Sequence, residues 1–169
     1  MASLITEIVD VLEEQKECYD GLYTLATYKT RALVDKDVDF LKEVSLREEE
    51  FVGRVRLLDK KRDTLFKDVA TVTGLAYEDL TLTKIVTKMG EELEISKKLV
   101  KLREELVDII NKLKKKNIHN QTLIEQSLEF VEFTLNAIQT TQLAGIEANY
   151  SRPGYQQNVD AIRVFDAKQ

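Results

Sequence analysis

From Glu91 to Gly145 the chain has no proline and no internal glycine, and a single apolar stripe runs the length of this stretch. The stripe reads Leu99, Leu102, Leu106, Ile109, Leu113, Asn117, Asn120, Ile124, Leu128, Val131, Leu135, Ile138. Steps of three and four residues are the signature of one helix face, and nothing in the stretch would break the helix. A helix of this length cannot bury its own stripe. It must lie against other helices of the same chain, against a second copy, or against a client molecule. Two places depart from the alternation with consecutive steps of four: Ile109 to Leu113 to Asn117, and Asn120 to Ile124 to Leu128. Such stutters relax a left-handed supercoil. Between them Asn117, Asn120 and Gln121 stand where apolar residues belong. They read either as a polar layer separating two halves of the helix or as a register-fixing layer of an ordinary bundle.

The upstream sequence carries the same period. Ile8, Val11, Gln15, Cys18, Leu22, Leu25, Lys29 and Ala32 form one stripe, and Ile5, Leu12, Tyr19, Ala26 and Leu33 widen it. A stripe that wide suits a helix from about Ser3 to Val34 with two neighbours. Gly21 lies within it, and its expected use is to let a neighbour approach. Asp37 is the expected N-cap of a second helix. The stripe of that helix is Leu41, Val44, Glu48, Phe51, Val55, Leu58, Arg62, Leu65, Val69 and Val72, and Gly74 closes it. Glu48 and Arg62 fall on the seam, where polar residues fix register or face water at a bundle edge. Leu80, Leu82, Ile85, Val86 and Met89 predict a short amphipathic helix ending at Gly90.

The predicted fold is all-α: an elongated antiparallel helical bundle or coiled coil of three long helices plus a short one, with a flexible C-terminal tail. The predicted domain is 1–145 and the tail 146–169. Composition agrees, with one proline, no tryptophan, 43% hydrophobic and 33% charged residues in a chain of 169. At 1.5 Å rise per residue the three long helices measure ~45, ~55 and ~80 Å. An up-down-up arrangement leaves ~25 Å of the last helix without a full-length partner. Either the end near Leu99 or the end carrying Ile124, Leu128, Val131, Leu135 and Ile138 then exposes a contiguous apolar strip, the mark of an interaction site. Phe130 and Phe133 are expected to widen the latter.

Most chemistry is missing. His119 is the only histidine and Cys18 the only cysteine, so a two-histidine metal site and an intrachain disulfide are excluded. His119 is expected to be solvated and Cys18 to be core. The six glycines are dispersed and form no phosphate loop. Carboxylate pairs such as Glu13-Glu14 and Glu104-Glu105 are those of exposed helix faces. No cofactor or metal is expected, and the chain does not read as an enzyme. A net charge of −5 argues against nucleic acid. The basic run Lys112, Lys114, Lys115, Lys116 reads as a solvated face. No window reaches the ~20 apolar residues of a membrane span. The N-terminus lacks the pattern of a signal peptide, and the expected location is cytoplasmic. The glycosylation-type triplets at Asn120 and Asn149 therefore carry no weight. The segment from Asn149 through Pro153 breaks the helical pattern, and the tail after it contains Val164, Phe165 and Asp166, a candidate docking peptide.

Gly90-Glu91-Glu92, Leu102-Arg103-Glu104-Glu105-Leu106, Leu113-Lys114, Asn117, Asn120, Leu123 and Ser127-Leu128-Glu129-Phe130 together resemble the FlgN family of flagellar export chaperones. The closing Val164-Phe165-Asp166-Ala167-Lys168 is similar to the end of many Gram-positive-type members. The resemblance implies a cytoplasmic, all-helical chaperone. It would bind the C-terminal helical segment of hook-associated flagellar proteins and deliver them to the export gate of the flagellar secretion apparatus. It also implies that clients bind the C-terminal half of the long helix, here Leu123, Ile124, Leu128, Val131, Leu135 and Ile138. The alternative is a homodimeric coiled-coil scaffold whose stripe is buried against its own copy.

Overall fold

A computed structural model describes residues 1–150 of the chain, with side chains to Ile146. Its regular structure is helical: α1 (Ala2–Asp35), α2 (Val38–Thr73), a 3-10 turn (Tyr77–Asp79), α3 (Leu82–Met89) and α4 (Glu94–Tyr150). Among the described residues there is no strand, so the chain is all-α. It divides into two units, residues 1–125 and 126–169.

In the first unit, local chemistry sets the helix ends. The α1 helix stops at Lys36, which takes the left-handed conformation with φ 55°. The next amide, of Asp37, turns back to the Ala32 carbonyl at 2.9 Å. Asp37 then caps α2, its carboxylate accepting the Phe40 N–H at 3.0 Å. Gly74 closes α2 at φ 68°, where a residue without Cβ is unstrained. Thr81 caps α3 by accepting the Lys84 N–H at 3.2 Å, and Gly90 ends it.

Side-chain pairs give the helix directions. As the α1 partner moves forward from Gln15 to Lys29, the α2 partner moves back from Asp59 to Glu48, so α1 and α2 are antiparallel. As the α1 partner moves from Glu13 to Thr30, the α4 partner moves forward from Lys98 to Asn120, so α4 runs parallel to α1. The backbones of α1 and α2 approach within 8 Å, whereas α4 reaches α1 only through side chains. Gly21 is one reason for the close approach. A Cβ there would lie 2.6 Å from the Phe51 ring of α2.

The core of this unit draws on every helix: Ile5, Ile8 and Leu12 from α1, Val69 from α2, Ile85 and Val86 from α3, and Leu99 from α4. Cys18 is part of it, and burial raises its thiol pKa. The predicted α1 stripe is buried from Ile8 to Leu22 and half-buried at Leu25 and Lys29. In α2 the prediction drifts. Val72 is exposed and Ala70 is buried in its place. A seam extrapolated in threes and fours follows a period of 3.5, and a straight helix of 3.6 walks away from it by the last turns.

The polar seam residues are paired. Lys29 and Glu48 form a half-buried ion pair. Gln15, fully buried, donates to Asp59 at 2.7 Å and accepts from the exposed Arg62 at 3.4 Å. Arg62 also lies 3.5 Å from Asp59. Two boundaries differ from expectation. α4 begins at Glu94 rather than Glu91, and it passes through Gly145 to Tyr150. A single glycine in a long helix costs only ~1 kcal/mol and need not end it. The predicted tail beyond Tyr150, including Val164, Phe165 and Asp166, lies outside the described residues.

Candidate functional site

The polar residues in the middle of α4 have different fates. Asn120 is 2% exposed, donates to the Ala26 carbonyl at 2.8 Å and accepts from the Thr30 hydroxyl at 2.5 Å. Asn117 and Gln121 are exposed, as is His119. A one-residue polar pin therefore stands where the spacing suggested a layer. Beside it lies an open groove of about 500 Å³ among α1, α2 and α4, lined by Leu22, Lys29, Val52, Leu113, Asn117 and Ile124. Ile124 and Leu123 are half-buried in the first unit. The two N-terminal members of the predicted client-binding set thus sit in the bundle.

The other four are in the second unit. There α4 is the one described element, and from Gln126 to Ile146 every side chain is exposed except the half-buried Ser127 and Thr134. Leu128 is 64% exposed, Val131 52%, Leu135 54% and Ile138 49%, levels that leave about half or more of each residue to solvent. Their three-four-three spacing puts all four on one helix face. Phe130 and Phe133 are also exposed. Phe133, two residues past Val131, is turned about 200° from it around the axis and so lies opposite the stripe rather than beside it. Ala137 shares that far side. The segment therefore presents two apolar faces, and sequence reading by proximity along the chain missed the second. Assigning each residue its angle, at about 100° per step, would have found it.

Lys112 of the basic run pairs with Asp108 at 3.0 Å, which raises its pKa through the hydrogen bond and the charge of that carboxylate. The acidic faces of α1 and α4 are tied to lysines too: Lys16 lies 3.1 Å from Glu105 and Lys98 2.7 Å from Glu13. Among the described residues no three His, Cys, Asp or Glu side chains gather as a metal site. No described helix is long and apolar enough to cross a membrane. What this arrangement offers is an exposed apolar face on α4.

No curated protein and no solved structure matches the chain. The model of one protein family, described as FlgN protein, does match, over residues 1–158. That span takes in the capped bundle and the exposed apolar segment alike, and by it the chain belongs to the FlgN family, a family of chaperones.

Proposed function

We propose that the protein is a flagellar type III export chaperone working in the cytoplasm. It binds the C-terminal helical segment of a hook-associated protein and prevents premature assembly until the segment is handed to the export gate. The observation that carries this reading is the exposed face of Leu128, Val131, Leu135 and Ile138 in a chain of this family. An amphipathic client helix laid along that face completes its apolar contacts. Burying one large apolar side chain is worth roughly 1.5 to 3 kcal/mol before ordering costs. Four such residues bring roughly 6 to 12 kcal/mol before those costs, against the ~8 kcal/mol of micromolar binding. Release needs no chemistry, only competition at the gate.

Calorimetric titration with a peptide from the C-terminus of a hook-associated protein of the same organism tests this. One-to-one binding is expected, with its loss in Leu128→Asp and in Leu135→Asp while helicity is kept. Unfolding of the protein by either substitution would show that these residues are core and would sink the assignment. The same exposed face supports a second reading, a homodimeric scaffold. Under that reading the peptide does not bind, and sedimentation finds a tight dimer that Leu135→Asp dissociates.

A further inference from the structure

Between Lys116 and Arg152 the sequence holds no lysine or arginine. The exposed apolar stripe therefore lies in a segment whose formal charges are acidic. Two of them, Glu129 and Glu132, belong to the second unit together with the stripe and are exposed. Neither has an ion-pair partner among the described residues, in contrast to Glu13, Glu48 and Glu105 of the first unit. Their positions are specific. Counted around the helix from the centre of the stripe, Glu132 falls about 80° and Glu129 about 140° to one side. The other edge carries Thr134 and Thr141, which are uncharged. The stripe thus has Glu132 on one edge, with Glu129 behind it on the same side, and a neutral edge on the other.

Charges along the edge of a helix pair choose its partner and its orientation. From this asymmetry we infer that the client helix is amphipathic with lysine or arginine along one edge of its apolar face, set against Glu132, with Glu129 behind it adding negative potential on the same side. The inference rests on the chaperone reading and adds the chemistry of the partner to it. A second copy supplies no cation in either direction, since parallel pairing sets each acidic edge against its partner's uncharged threonine edge. Antiparallel self-pairing brings the same edge of each helix together, carboxylate against carboxylate, and no lysine or arginine of this segment relieves it. The acidic edge also fixes the direction in which a client helix lies, because reversing it removes the basic edge from the carboxylates. The pairs are solvent-exposed, so they act through selectivity and weaken with salt.

The test uses the full chain and two labelled synthetic helical peptides with the same Leu/Ile face, one with lysines along one edge and one with glutamates there. The lysine-edged peptide is expected to bind about three- to tenfold more tightly at low salt, a preference that shrinks at high salt. Glu129→Gln/Glu132→Gln abolishes the preference and Glu129→Lys/Glu132→Lys reverses it, with helicity unchanged in both. Equal binding of the two peptides overturns the charge inference and leaves the chaperone reading standing. Binding of neither overturns both. A dimer that the lysine-edged peptide cannot dissociate places a second copy on the face and overturns the inference.

Discussion

The side-chain amide of Asn120 donates to the backbone carbonyl of Ala26 at 2.8 Å, joining α4 to α1 at a buried point where the stripe of α4 is otherwise apolar. The Thr30 hydroxyl lies 3.0 Å from the same Ala26 carbonyl and 2.5 Å from the Asn120 side-chain oxygen, and gives its one proton to either. The three groups satisfy one another, which is what permits a polar side chain at this depth.

Replacing Asn120 by Ala removes both cross-helix hydrogen bonds but strands nothing, because Thr30 can still donate to Ala26. The expected loss is about 2 kcal/mol in denaturant unfolding. Asn120→Asp is expected to cost more, about 3 kcal/mol or above, since a buried carboxylate oxygen would replace the N–H that faces the Ala26 carbonyl, and the single Thr30 hydroxyl cannot compensate it. Equal stabilities for the two variants would show that the amide donation is not what holds α4.

Gly21 and Gly53 are both inside helices, and alanine in a helix interior is ordinarily better than glycine by about 1 kcal/mol. At Gly53 nothing lies within 4 Å of an added Cβ, so Gly53→Ala is expected to stabilise by roughly that amount. At Gly21 the Phe51 ring is in the way, and Gly21→Ala is expected to destabilise by about 1 kcal/mol despite the propensity gain. Midpoints of thermal unfolding moving in opposite directions would bear this out; a common rise would mean that Phe51 steps aside freely.

Asp63 is held below the ordinary carboxylate pKa, first by its hydrogen bond with Lys67 and next by that of the Tyr77 hydroxyl. Its folded pKa being depressed, the stability it contributes is present above the ordinary carboxylate value and is lost as pH falls through the depressed one. In carboxyl-detected NMR titration, Lys67→Met is expected to move the Asp63 midpoint up further than Tyr77→Phe does. The reverse order would assign the main role to the phenol.

Ser96, in the first turn of α4, is completely buried and its hydroxyl has no hydrogen-bond partner. Ser96→Ala removes an unsatisfied polar atom at almost constant volume and adds helix propensity. A gain of about 1 kcal/mol in unfolding free energy is expected. A loss would reveal a partner for the hydroxyl in solution.

The helices were legible in the sequence because their stripes repeat in threes and fours and because Asp37, Gly74 and Gly90 punctuate them. Gly21 was legible as a close approach, though not as an approach by Phe51, which depends on how α2 is set against α1. Val72 was misplaced because the seam was carried forward by step counting, and helices drift away from such a count over several turns; Asn117 keeps its place on the stripe but is exposed because the groove it lines is open. The end of α4 was misjudged because Gly145 resembles a stop signal only if the backbone there turns left-handed, a conformational fact that composition does not carry. Of the candidate set, spacing identified Leu128, Val131, Leu135 and Ile138 as one face. The half-burial of Leu123 and Ile124 depends on the packing of the first unit, which no local pattern encodes.

The hydrogen bonds between α1 and α2 join residues 19 to 47 positions apart, whereas Asn120 reaches partners 90 and 94 positions away. Closing the shorter loops costs less chain entropy, by ~0.6 kcal/mol per doubling, so the α1–α2 hairpin is expected to form before α4 is recruited to it. That order coincides with the order of synthesis, in which the segment bearing the apolar stripe follows the hairpin that receives the rest of α4. Folding kinetics carry the signature: Val55→Ala slows folding, while Leu102→Ala chiefly speeds unfolding.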